Sequence, residues 1–176
     1  MAASQTYSFT DVKVSFSGPG GSFSLGSGVG NADEGITVDM MEDKNTMTIG
    51  ADGSGMHSLH ASKAARATVR LLKTSPANAQ LSAVFNFQQQ SSSMWGQNLI
   101  TVQDFARGDQ ITLRNCAFAK QAPVAYSKEG GIMEWVFDAI TRDDLIGSGS
   151  PQLGAITLGV AIPGIGGTGI TIPLPG

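Results

Sequence analysis

RATVRLLKTSPANAQLSAVFNFQ (66–88) carries both periodicities from which a fold is built. Its first half alternates. Ala67, Val69 and Leu71 fall on one side of an extended chain, with Arg66 and Arg70 on the other. Then the period changes. Ser75 is a helix-capping residue type and Pro76 suits a first helical position. Ala77, Leu81, Val84, Phe85 and Gln88 recur at helical spacing. The stretch predicts a strand over 66–74, then a helix whose apolar stripe lies on a sheet. SSS at 91–93 closes the helix.

Strand patterns flank this unit on both sides. Downstream, 98–103 aligns Ile100 with Val102, and 110–120 follows an ARGD turn at 106–109. In 132–140, Met133, Trp135, Phe137 and Ala139 share a face; the other carries Glu134 and Asp138 with Ile132 and Val136, half polar. Upstream, 35–41 places Ile36, Val38 and Met40 together. EDKN (42–45) reads as a polar turn, and 46–50 returns with Met47 and Ile49, so a β-hairpin is predicted. Residues 51–64 read as a long polar loop. Residues 6–16 alternate twice, and the slip at Thr10–Asp11 predicts a β-bulge or a bend between two strands. GPGG (18–21) is a turn, and 22–30 a short strand or loop.

The assembly is mainly β: a β-sandwich or barrel flanked by one α-helix. It occupies a domain at 1–147, with a Gly/Pro-rich apolar extension at 148–176 entered through GSGSPQ (147–152). Residues 153–176 carry no charge. Exposed, they would be an aggregation hazard, so a neighbouring subunit is expected to cover them, with ITIPLPG adding an edge strand up to Pro173.

Composition narrows the chemistry. Charged residues are 14% and the net charge is −3, which argues against a DNA-reading protein. Cys116 is the single cysteine, so no intrachain disulfide forms, and burial as a small hydrophobe is expected. Residues 1–20 lack the basic start and apolar run of a signal peptide, and Gly and Pro break the apolar C-terminus too often for a membrane helix. Gly164, Gly166 and Gly169 match the dinucleotide fingerprint, but seven residues with two prolines follow, too few for the phosphate-binding helix. His57 and His60 are the only histidines, and a spacing of three on a strand sends them to opposite faces, so no metal is expected. Neither G-x-S-x-G nor GK[ST] occurs, and no cofactor or catalytic residue is assigned. Arg107–Gly108–Asp109 is read as a turn. Few charges, a sticky extension and small-residue loops point to a structural subunit.

EGITVDMMEDKNTMTIGADGSGMHSLHASKAARATVRLLKTSPANAQLSAVFNFQ (34–88), with GPGGSFSLGSG before it and GGIMEWVFDA (130–139) after it, resembles the tail tube proteins of bacteriophages, in particular contractile-tailed ones. The resemblance covers roughly residues 5–147. It implies a structural virion protein, made in the host cytoplasm, whose subunits form hexameric rings. The rings stack into a tube inside a contractile sheath. Baseplate and tail terminator proteins are the implied end partners. A tape measure protein fills the lumen before DNA passes through it.

Two sets of residues are expected to matter under this resemblance. The loop 42–62, with Glu42, Asp43, Lys44, Asn45, Met56, His57 and His60, is expected to contact the adjacent ring. Ile170, Ile172 and Leu174 of the extension are expected to pack on a neighbour. Asp39, Glu42, Asp43, Glu134 and Asp138 are candidates for an acidic lumen that DNA slides past, because lysine and arginine contacts to phosphate would hold it. Competing readings are the inner tube of a phage-tail-like bacteriocin or secretion system, and a baseplate or adhesin β-sandwich that binds glycans. For the latter, Trp95 is the one exposed aromatic candidate.

Overall fold

The computed structural model describes residues 6–26, 28 and 30–147, and the backbone pairing of 157–158 with 170–171. In chain order the strands are β1 (Val12–Gly18), β2 (Gly21–Ser24), β3 (Asn31–Met40), β4 (Asn45–Ile49), β5 (Gly55–Leu59), β6 (Ala65–Leu72), β7 (Asn98–Asp104), β8 (Asp109–Lys120) and β9 (Ile132–Leu145). The helix α1 (Ala77–Gln88) lies between β6 and β7. Among the described residues, seven strands form one antiparallel sheet in the order β2-β1-β7-β8-β9-β6-β3, while β4 and β5 pair only with each other. The short strands β10 (Thr157–Leu158) and β11 (Ile170–Thr171) pair antiparallel.

Period-2 alternation builds the core. Val12, Val14 and Phe16 of β1 and Ala65, Ala67, Val69 and Leu71 of β6 are buried, with their neighbours turned outward. The sheet does not stay flat. Strands β1 and β9 are three ladder steps apart, about 14 Å in a flat sheet. Yet the Phe16 and Phe137 rings lie 5.9 Å apart, both against Phe118. The sheet therefore curls around one aromatic centre, as an open barrel. Gly35, at φ 58°, lets the far strand β3 come against Phe9 just ahead of β1: an added Cβ would sit 3.1 Å from that ring.

Helix α1 closes the core. Ser75 Oγ accepts from the Ala77 N–H at 3.3 Å, but the helix starts one residue later than expected: Pro76, at φ −64°, is the N-cap and Ala77 the first helical residue. Leu81 and Val84 are buried, worth about 1.5–3 kcal/mol each. Phe85 meets Phe118 edge-on at 5.4 Å. Two polar contacts fix the helix on the sheet. Trp135 Nε1 donates to Asn78 Oδ1 at 3.0 Å, and Gln88 and Asn98 exchange amide bonds.

Four local expectations are corrected. Residues 6–11 are not a strand with a bulge: Phe9–Asp11 is a 3-10 turn, with Ser8 Oγ accepting from the Thr10 N–H, so the phase slip is a bend. The predicted 35–50 hairpin does not form. Strand β3 pairs with β6, because the apolar face of Ile36 and Val38 finds the buried sheet there, and β4 turns back on β5 instead. Residues 51–64 are accordingly not one loop. Asp52 Oδ1 accepts from the Ser54 N–H (3.0 Å) and Oγ (2.6 Å), a tight turn that starts β5. Strand β9 runs on to Leu145, pairing with β8 well beyond the predicted end. Strand β8 also slips phase: Asn115 takes φ 53°, so Leu113 and Cys116, three apart, are both buried. The linker after Gly147, the three-glycine fingerprint, Ile172, Leu174 and the part of the expected edge strand beyond the Ile170–Thr171 backbone pairing lie outside the described residues.

Candidate functional site

The β4–β5 hairpin projects from the Met40/Ala65 end of the sheet. Its register puts Asn45 opposite Leu59, Met47 opposite His57 and Ile49 opposite Gly55. One face thus carries Met47, Ile49 and Leu59, all exposed, Leu59 at 85%. The other carries Thr46, Thr48, Met56 and Ser58. A two-stranded ribbon is marginal alone, and its apolar face touches no other part of the described subunit's core. Its root is tied instead. Lys44 Nζ donates to the carbonyls of His60 (3.3 Å) and Ser62, and the His60 N–H donates to Lys44 O at 2.9 Å. His57 Nδ1 shares a hydrogen bond with Asn45 Oδ1 (3.2 Å), and His60 Nε2 with Thr46 Oγ1 (2.7 Å). The two histidines serve opposite faces, as the spacing predicts. Glu42 and Asp43 lie exposed between β3 and β4.

The solvent face of the sheet carries the other candidates. Register sets Arg66 between Asp39 and Asp138, and Arg70 beside Glu134. Arg66 Nε donates to Asp138 Oδ1 at 2.7 Å, which raises the guanidinium pKa further. Arg70 donates to Glu134 Oε2 (3.1 Å) and Thr37 Oγ1 (3.0 Å). Asp143 accepts from Lys63 (3.2 Å) and Arg114 (3.3 Å), and these bonds hold its carboxyl below the usual range. Glu134 and Asp138 are therefore solvent-facing acids, each with an arginine beside it. The sequence shows the acids and the arginines; only the register matches them.

A family model for the bacteriophage PhiTE tail tube protein matches residues 4–147. This chain belongs to the PhiTE tail tube family. The match ends at Gly147, whose N–H donates to Asp109 Oδ1 at 2.7 Å beside the last strand, so it spans the sheet, helix and hairpin. Twelve solved chains also match. One is the tube-terminating cap of the anti-feeding prophage, 12% identical, covering 83% of this chain and 95% of that one at a TM-score of 0.48. No curated protein sequence matches.

The remaining candidates have structural explanations in this tail tube family member. Arg107 of the RGD tripeptide is not presented: its guanidinium pairs with Asp104 at 3.2 Å, the side chains 11% and 7% exposed, and packs on the Tyr7 ring. Asp109 is engaged by Gly147. Cys116 is buried, its Sγ 3.3 Å from Leu113 O, and burial pushes its thiol up to about 12. Trp95 is 36% exposed, held edge-on by Phe85 at 5.8 Å, and lines a cleft of about 850 Å³ with Met41, Ala64, Ala139 and Ile140. Sequence reasoning missed the buried Gln88–Asn98 pair; Gln88 on an apolar stripe is its only local signal.

Proposed function

We propose that this tail tube protein forms hexameric rings that stack into a tube, and that the lumen conducts phage DNA into the host when the surrounding sheath contracts. The family match across residues 4–147 carries the reading. Two features support it. The curled sheet ends in two open edges, β2 and β3, which lateral neighbours would pair. The hairpin holds out an apolar face that a stacked neighbour would cover.

In this reading 1–147 is the tube domain and 148–176 an extension that packs on a neighbour through Ile170, Ile172 and Leu174. Glu42, Asp43, Lys44, Asn45, Met56, His57 and His60 belong to the inter-ring contact. Asp39, Glu134 and Asp138 face the lumen with Glu42 and Asp43. Arginines already engaged by carboxylates bind phosphate weakly, so a paired lining also lets DNA slide. Sheath, baseplate, terminator and tape measure proteins are the partners, and the virion tail is the location.

Negative-stain electron microscopy of the purified protein across concentrations tests the assembly. Rings or tubes with an open channel are expected, alone or on added baseplates. A monodisperse monomer that baseplates do not convert overturns it.

A further inference from the structure

The hairpin leaves the sheet at the Ala65 end of β6. The loop 121–131 joins β8 to β9 at the Leu72 end, where the Lys73 N–H donates to Gly131 O at 3.1 Å. Eight strand residues, about 23 Å, separate the two. The two segments that project there have opposite net charge. The hairpin itself, 42–60, holds Glu42, Asp43 and Asp52 against Lys44. The segment 120–131 holds Lys120 and Lys128 against Glu129, and Lys73 reaches over it to the Ala125 carbonyl. Lys120 and Lys128 form no ion pair among the described residues.

Both ends are also apolar where exposed. Met47, Ile49 and Leu59 line one hairpin face; Leu72, Val124, Tyr126 and Ile132 are exposed at the far end. The far loop is held in place rather than loose. Lys73 Nζ donates to Ala125 O and lies 3.7 Å from the Tyr126 ring centroid.

We propose that the 121–131 loop, with Leu72 and Ile132, is the docking surface for the hairpin of a second copy of this chain in the next ring. Acid meets lysine around an apolar centre, so stacking is polar, head to tail and open-ended. The proposal rests on the tail tube reading above and deepens it by naming the receiving surface. The acidic Glu42/Asp43 root meets Lys120 and Lys128. Met47, Ile49 and Leu59 reach Val124 and Ile132.

Charge exchange tests it. Lys120→Glu/Lys128→Glu and Glu42→Lys/Asp43→Lys are each expected to cut tube length about tenfold or more at low salt, since like charges then face each other. Combining all four in one chain is expected to restore it, and wild-type stacking is expected to weaken with salt. Unchanged thermal melting confirms that each variant folds. In parallel, Ile49→Cys protein is mixed with Val124→Cys protein under oxidation; Cys116 is buried and takes no part. The mixture is expected to give mixed disulfide dimers in preference to like pairs.

Tubes with silent reversals and no mixed disulfide overturn the docking surface and leave the tube reading standing. A mixed disulfide without rings or tubes supports the docking surface and overturns the tube reading. Neither tubes nor disulfide overturns both.

Discussion

The Gln88 and Asn98 side-chain amides bond each other in both directions, at 2.6 and 2.9 Å, inside the core. Gln88 Nε2 also donates to Pro19 O at 2.8 Å, and Asn98 Nδ2 to Cys116 O at 2.9 Å. One amide pair therefore ties the end of α1 to the β1–β2 turn, β7 and β8. Gln88→Leu strands Asn98 and Pro19 O and is expected to cost about 2–4 kcal/mol by denaturant unfolding. Gly18→Ala is expected to destabilise through the same pair, because a Cβ there would lie 1.9 Å from Asn98 Oδ1. A loss under about 1 kcal/mol for both would mean the network is dispensable.

Asp104 anchors the turn that carries the RGD tripeptide. It accepts from the Ala106 and Arg107 N–H groups, at 2.9 and 3.2 Å, and pairs with the Arg107 guanidinium. Asp104→Ala leaves a mostly buried arginine unpaired and is expected to cost about 3 kcal/mol. The melting temperature relative to wild type reads this directly.

Cys116 makes the alkaline limit of stability testable. Its thiol titrates at about 12 in the fold against 9.0 ordinarily. The unfolded chain releases that proton first, so this contribution is full below pH 9 and is lost as pH rises towards 12. Cys116→Ala is expected to lose less stability than wild type over that window, measured by urea unfolding at each pH. The native thiol is also expected to resist a water-soluble thiol reagent at pH 8 until the protein unfolds.

The hairpin separates folding from assembly. Met47→Ser with Ile49→Ser and Leu59→Ser changes exposed side chains outside the core, so subunit stability is expected to shift by under about 0.5 kcal/mol per site. Tube formation, followed by light scattering and microscopy, is expected to be lost. Normal tubes would remove the hairpin from the contact.

The ion pairs of the sheet face bear on DNA passage. Glu134→Gln with Asp138→Asn frees Arg70 and Arg66 for phosphate. Tubes of this variant are expected to retain a short duplex at low salt and release it as salt rises, whereas wild-type tubes retain little. Equal retention would mean this face does not line the channel.

Strands β6 to β9 and helix α1 were legible because their signals are local: period-2 alternation, a change of period at Ser75–Pro76, and a half-polar face on β9. The hairpin was not, because EDKN and ADGS are both competent turns and local chemistry does not choose between them. The phase slips behaved likewise. The bend at Phe9–Asp11 and the left-handed Asn115 showed in the pattern or not at all, but neither revealed its geometry. The alternation also told the two faces of β9 apart, so the half-polar character of the face carrying Glu134 and Asp138 was legible. Their arginine partners were not.

The sequence by itself determined that this is a β-rich, one-helix tail tube protein, because the family pattern and side-chain periodicity are properties of the chain alone. Tertiary structure decided the rest: which turn β4 uses, which arginine meets which carboxylate, which amides share the core, and which charges gather at opposite ends. Each depends on strand register and sheet curl. Those are set by which apolar faces can be buried together, a choice among distant segments that no local window contains.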